Sequence, residues 1–342
     1  MPGTCRTLSP TCNLKMRFDS PLSVFVRSLP KTETHLHLEG ALPFELLQRV
    51  RPEFSQPPAS WDWDFKFRDF AQFEQELLDM VFSWFTSPER YHEAARLVFA
   101  RHLAQNVRYV ETSFASGVIE FGGLNGREVL AAIRAAVPPG LEVRVFLGIH
   151  HNGAGEEMMP VLEDALGWPD LAGIDLHGTE SFPLEPWSAE YWAAARRAGK
   201  YTKAHAGEFM DARFVRRVLD ELQPQRLEHG VRAVENPALV AELRARRIGL
   251  DVCPISNHKL MPGITLANHP IRELFDAGVT VTVSTDDPIS FGNTVVDEYA
   301  ALAEHRGFTR AELAQVARHG WTVALIDESL RHRALAEIDR LT

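Results

Sequence analysis

Two histidines stand one residue apart in the stretch KTETHLHLEGALP, at His35 and His37. Side chains alternate faces along a strand, so a strand over 32–38 would aim both imidazoles at one side. Two neutral imidazoles directed at one point suit zinc, which takes nitrogen ligands at about 2.0–2.1 Å. The plainer account is a pair of polar residues on a half-exposed strand. Three further stretches carry related residue types: KAHAGE with His205 and Glu208, LEHG with His229, and STDDP with Asp286 and Asp287. Imidazoles and carboxylates gathered in one place can hold a divalent cation, move protons near neutral pH and shift one another's pKa values. Taken singly, each histidine has an ordinary account as a loop residue or a satisfied core imidazole. Asp287, just before Pro288, has one as a turn residue.

What matters is which elements would position them. Eight apolar runs of strand length occur at 31–38, 107–114, 141–151, 171–178, 200–208, 226–230, 248–257 and 278–288. Amphipathic helical patterns such as REVLAAIRAAV and ARFVRRVLDEL lie between them. Strand–helix alternation with mostly apolar strands argues a parallel sheet. Eight such units over about 250 residues fit an α/β fold, a single (β/α)8 TIM-type barrel. A long stretch after the first strand predicts a helical insertion. In it Phe67, Phe70 and Phe73 recur every three residues, as helix core or as an apolar lid over a pocket. The C-terminal ends of barrel strands form one rim, where active sites sit. His35 and His37 would end strand one, His205 and Glu208 strand five, His229 strand six, and Asp286 and Asp287 strand eight. Residues far apart in sequence would then meet at one point.

The chain has 342 residues and a formal net charge of −10. One domain over 22–342 is expected, after a loose leader at 1–21 rich in Pro, Ser and Thr, in which Met16 offers an alternative start. No run of about 18 apolar residues predicts a membrane span, and the N-terminus lacks the apolar segment of a secretory signal. No cluster of Lys and Arg points to a nucleic-acid partner. Cys5, Cys12 and Cys253 are too few and too odd in number for a disulfide framework, so a cytoplasmic location is expected.

The ordered set THLHLEGA, GIDLHGTE, KAHAGE, LEHG, DVCPISN and STDDP resembles the adenosine deaminase family of the amidohydrolase superfamily. The likeness runs from Lys31 to Asp287 and on into VVDEYAALAEH. It implies a zinc-dependent barrel with one Zn2+ per chain, which replaces the 6-amino group of a small-molecule purine by oxygen and releases ammonia. It implies His35, His37, His205 and Asp286 as ligands, with a position open for water whose pKa the ion lowers from 15.7 to about 7. By the same resemblance His229 takes the proton of that water and orients its attack. Glu208, protonated, donates to purine N1, which needs a raised pKa. Asp287 holds N7, and the backbone N–H of Gly178 meets N3, where glycine permits close approach.

The substrate signals point two ways. Nucleoside-type members carry Asp where this chain has Glu39, at a position that meets the ribose, and Glu is commoner in members acting on adenine or modified adenosines. GIDLHG, however, keeps the glycine of nucleoside-type members. The expectation is an adenosine-like nucleoside, with adenine and aminodeoxyfutalosine as alternatives. His177 either touches the sugar side or faces the barrel–helix layer away from the pocket.

Three rivals are weaker. Two-metal amidohydrolases place a bridging lysine at the end of strand four, where this chain has none; Lys203 lies on strand five. A non-catalytic member acting as a growth factor would have a broken ligand set, and here it is complete. Nucleic-acid deaminases need His-x-Glu with a later Pro-Cys-x-x-Cys, and DVCPISN has a single cysteine.

Overall fold

The computed structural model describes residues 20–151 and 156–342. Residues 1–19 of the expected leader lie outside the described residues. Ser20 caps the first helix, Pro21–Ser28, its hydroxyl accepting from the Ser23 N–H at 3.1 Å. Eight parallel strands follow: β1 (Lys31–Glu33), β2 (Val107–Ala115), β3 (Glu142–His150), β4 (Leu171–His177), β5 (Tyr201–Ala206), β6 (Arg226–His229), β7 (Gly249–Val252) and β8 (Val281–Val283). They pair in chain order from β1 to β8. The sheet then curls until its two edges meet. The His37 N–H donates to the Asp286 carbonyl at 3.2 Å, and the Asp286 N–H donates to the His35 carbonyl at 3.1 Å. The result is the nearly closed barrel that the alternation of strands and helices predicts.

Strand composition accounts for this shape. In β3, Val145, Phe146, Leu147 and Ile149 are all buried, as strands covered on both faces require. Outer helices supply the second cover. Helix Ala212–Glu221 buries Phe214, Val215, Val218 and Leu219 against the sheet and turns Arg213 and Arg217 outward. The insertion after β1 contains helices Phe44–Val50, Phe70–Val81 and Pro88–Ala104. Asp69 fixes where the second begins, its carboxylate accepting from the Gln72 N–H at 2.8 Å. Phe67 therefore precedes the helix. Phe67 and Phe73 pack with Ile255, Leu260 and Phe291 in a small second core, where the Phe73 and Phe291 rings stack at 5.5 Å. Phe70 and Phe73 also line the large cavity at the rim, so the aromatic stripe is both core and pocket wall.

Several strands end earlier than the apolar runs suggest. β1 stops at Glu33, and Leu36 and His37 keep single bridges to Asp286 and Ser113. The run at 248–257 leaves the sheet at Val252, because Pro254 opens helix Pro254–Leu260. The run at 278–288 leaves at Val283, and Pro288 opens the short helix Pro288–Phe291. Proline suits a first helical turn and cannot donate to a ladder. Apolarity continues past the strand ends because the rim itself is packed. Among the described residues no helix is long and apolar enough to cross a membrane.

Candidate active site

The rim brings His35, His37, His205 and Asp286 to one point. His35 Nε2 lies 3.3 Å from His37 Nε2 and 3.1 Å from His205 Nε2. Asp286 Oδ1 lies 3.3 Å from the Nε2 atoms of both His35 and His37. Two ligands held at about 2.0–2.1 Å from a tetrahedral ion are about 3.4 Å apart. The observed spacings fit a single metal ion with tetrahedral ligands such as zinc.

The far side of each imidazole is tied down. His205 Nδ1 meets the Leu176 carbonyl at 2.7 Å, so it carries the proton and leaves the Nε2 lone pair facing inward. His35 Nδ1 lies 2.9 Å from Glu228 Oε2, with the same consequence. His37 Nδ1 lies 3.0 Å from the Ser113 hydroxyl. Metal-binding histidines are commonly oriented in this way. Glu228 is itself anchored from below by Lys203, which also lies 3.4 Å from Glu111 and donates to the Thr34 carbonyl at 2.9 Å. Lys203 is thus an interior strand residue beneath the cluster. Among the described residues, every other group of possible metal ligands borrows His35, His37 or Asp286 from this set.

Backbone geometry aims the remaining groups. His229 and Asp286 adopt φ values of 57° and 65°, a left-handed conformation rare for residues other than glycine and often found at functional sites. Asp286 Oδ2 accepts from the Ser256 hydroxyl at 2.7 Å. Gly40 makes room for Asp287: a Cβ there would overlap the Asp287 carboxyl. Gly40→Ala should push Asp287 aside and lower kcat/KM by about 100-fold, the scale expected of a misplacement near 1 Å, with metal content unchanged. Steady-state kinetics with metal analysis checks this; wild-type kinetics would mean that the placement of Asp287 is unimportant.

Glu208 is buried in a tight turn whose backbone is held by Glu180. That carboxylate accepts from the N–H groups of Glu208, Phe209 and Met210 at 3.0, 2.9 and 2.6 Å. Burial, then the charges of Asp286 and Glu180, push the Glu208 pKa well above the usual carboxylate range. Asp287 is raised well above its usual value too, by burial and then by the charge of Asp286. Its buried Oδ1 has no hydrogen-bond partner among the described residues. Glu208 Oε2 lies 3.5 Å from His229 Nε2, which is 3.9 Å from Asp286 Oδ2. Behind His229 stands Asn257, with Nδ2 at 3.1 Å from His229 Nδ1 and Oδ1 at 3.1 Å from His269 Nε2.

These groups floor a cavity of about 340 Å³. Phe70, Phe73, Leu77, Phe85 and Val118 form its apolar walls, and among the described residues no Lys or Arg lines it. Glu39, Glu74 and Glu120 add acidic groups above the floor. Glu39 is buried, its Oε1 accepting from the Tyr91 hydroxyl at 2.5 Å and the Ala115 N–H at 3.1 Å. Gly178, at φ 90°, also lines the cavity. So does His177, which therefore does not face the outer helices; its Nδ1 lies 3.4 Å from His37 Nδ1. Gly148 on β3 creates the space for that ring, since a Cβ at 148 would overlap it. The residues expected from sequence to bind metal, act on the substrate or contact it all meet in this one cavity or beneath it. Ser113, Glu180, Glu228, Ser256, Asn257, His269 and Gly40 support them and were not singled out.

The family model described as adenosine deaminase matches residues 30–341. An adenine deaminase from Sphingopyxis alaskensis is 32% identical over 328 residues, covering 93% of this chain and 96% of that protein. Among solved structures, adenine deaminase from Arthrobacter aurescens matches with a TM-score of 0.81 at 25% identity, over 91% of this chain and 98% of that one. An amidohydrolase from Burkhoderia ambifaria with bound Zn shares the fold, with a TM-score of 0.79 at 24% identity over 94% of each chain.

Proposed function

The chain belongs to the adenosine deaminase family, hydrolases that act on C–N bonds and deaminate adenine-type substrates, and from that premise we propose that its own substrate is adenine. Water replaces the 6-amino group, giving the 6-oxopurine and ammonia. The observation that carries this choice is the buried Glu39 carboxyl on the side of the cavity where the resemblance places the sugar. Adenine has a ring N–H at N9 that needs an acceptor, and a nucleoside has none. Glu39 accepts from Tyr91 and Ala115 through one oxygen, and in this reading its second oxygen takes the N9 proton. The similarity to adenine deaminases supports the same reading, and the nucleoside expected from GIDLHG becomes the second choice.

We place one zinc ion between His35, His37, His205 and Asp286. When bound, it supplies Lewis acidity that brings the pKa of a coordinated water to about 7. The side chains do the rest. The apolar walls sandwich the purine and exclude bulk water. Glu208, kept neutral by burial, gives its proton to N1 as C6 becomes tetrahedral. Asp287 shares a proton with N7, and the backbone N–H of Gly178 meets N3. His229 hydrogen-bonds the attacking water and fixes its direction.

A panel of adenine, adenosine, deoxyadenosine, methylthioadenosine and aminodeoxyfutalosine, followed by ultraviolet absorbance, tests the choice. Adenine should give the highest kcat/KM. Aminodeoxyfutalosine should be poor, because its carboxylate would enter an acidic cavity with no cation among its described lining residues. Glu39→Asp, which withdraws the acceptor by one methylene, should shift the adenine-to-adenosine preference by roughly 10- to 100-fold toward the nucleoside, the worth of one charged hydrogen bond. A higher kcat/KM for any nucleoside than for adenine in the wild type would overturn the assignment, and an unchanged preference in the variant would remove Glu39 from it.

A further inference from the structure

A backbone N–H can only donate, and that of Ile271 meets His269 Nδ1 at 3.1 Å. A neutral imidazole that accepts at Nδ1 carries its proton on Nε2. Burial, with the nearby Arg306 charge, holds the His269 pKa down to about 3, so the ring is neutral. Its Nε2–H therefore donates to Asn257 Oδ1 at 3.1 Å, which settles which end of that amide is which. Asn257 Nδ2 then donates to His229 Nδ1 at 3.1 Å. His229 Nδ1 is thus an acceptor, and its own proton sits on Nε2, the atom that faces Glu208 and Asp286. Asn257, His269 and Ile271 are fully buried and His229 is nearly so, which leaves no room for solvent to rearrange the chain of bonds.

We propose that His269 and Asn257 are positioning residues that fix the proton of His229 on Nε2, so that this imidazole meets the attacking water as a hydrogen-bond donor and not as its base. A base would need the Nε2 lone pair, which in this tautomer is replaced by a proton. A second proton, placed on Nδ1, would face the N–H of Asn257. The His229 N–H instead binds a lone pair of the water oxygen and sets the line of attack on C6. A water acidified to a pKa near 7 would give its first proton to solvent, and its second would pass to the departing amine as C6 regains a double bond to oxygen. Glu208, having given its proton to N1, would be reprotonated from solvent. This departs from the proton-accepting role that the family resemblance implies for His229. It rests on the deaminase reading only for its kinetic consequence, because the tautomer exists without substrate.

Two measurements on the zinc-loaded full chain separate those dependences. In protein labelled with 15N-histidine, long-range proton–nitrogen correlation spectra distinguish protonated from bare ring nitrogens, with His229 assigned by its absence in His229→Gln. The wild type should show Nδ1 bare and Nε2 protonated; a proton on Nδ1 overturns the proposal whatever the substrate proves to be. Asn257→Asp replaces the donor by an acceptor of nearly equal size and should move the proton to Nδ1. On the purine turned over fastest, kcat should then fall roughly 100-fold, as when one positioned donor is lost at a reacting oxygen, with KM and zinc content little changed. A retained or raised kcat is what a true base would give, since the new carboxylate strengthens it, and would overturn the donor role. Should that variant fail to fold, His269→Gln gives an amide that can turn either way; survival of a single Nε2–H form in it would place the clamp elsewhere and overturn the proposal equally.

Discussion

Glu208→Gln should leave the fold and the metal site in place and lower kcat by roughly 10²- to 10⁴-fold, the span expected when a positioned proton donor is lost. The substitution preserves size. It leaves untouched the three backbone N–H bonds by which Glu180 holds the turn, because those come from the main chain of residues 208–210. What it removes is an acidic proton. An amide can hydrogen-bond N1 but cannot transfer a proton to it, so substrate binding should suffer far less than turnover. The pH profile adds a second reading. Burial and the charges of Asp286 and Glu180 raise the Glu208 pKa above its ordinary value near 4.5, so the neutral acid persists to higher pH than in an ordinary carboxyl. The rate should then fall on the alkaline side, as pH rises through the shifted pKa, and this limb should vanish in the variant. Steady-state kinetics across pH, with zinc measured on the same samples, would show it. A kcat equal to wild type would remove Glu208 from the proton transfer.

That Glu208, His229 and the four cation-directed side chains meet was legible in the sequence for one reason: each stands at the end of an apolar run, and a parallel barrel turns run ends into a rim. The partners of those side chains were not legible, for reasons that differ. The group that orients His205 is the carbonyl of Leu176, and a carbonyl leaves no trace in residue type. Ser113 is an ordinary strand serine until the barrel sets it beside His37. Glu180 acts on backbone atoms nearly thirty positions away. Glu228 stood beside His229 in the quoted LEHG, yet strand alternation sends it down to Lys203 and across to His35, a direction that only the register between β5 and β6 decides. Gly40 and Gly148 are needed because Asp287 and His177, distant in sequence, press against them. The first strand shows the converse. His35 and His37 lie beyond the end of β1, yet the bridge at Leu36 preserves the alternation that the His-x-His spacing assumes, so both imidazoles reach the same point.

Asp286 differs in kind from the other three members of the cluster, and its removal should have the second large effect. In the proposed metal site it would be the one anionic ligand beside three imidazoles, so it would supply the opposing charge for a divalent cation as well as a coordinating atom. It also accepts from the Ser256 hydroxyl and faces His229, the group proposed to orient water. Asp286→Ala would mix three losses: the charge, the ligand atom and the tolerance of aspartate for φ 65°, a conformation that disfavours alanine. Asp286→Asn separates them, because asparagine tolerates that conformation and keeps the side-chain shape. It should bind zinc at least about 100-fold more weakly, exceeding the 10- to 100-fold cost of disturbing a mere partner of a ligand. After dialysis against a chelator the variant should hold little zinc and show almost no turnover, whereas the wild type should lose activity on prolonged chelation and regain it with added zinc. Because an ion that binds only the folded state adds stability with its concentration, zinc should raise the melting temperature of the wild type more than that of the variant. An Asp286→Asn protein that keeps one zinc per chain at wild-type affinity would show that the convergence of these four side chains is not what holds the metal.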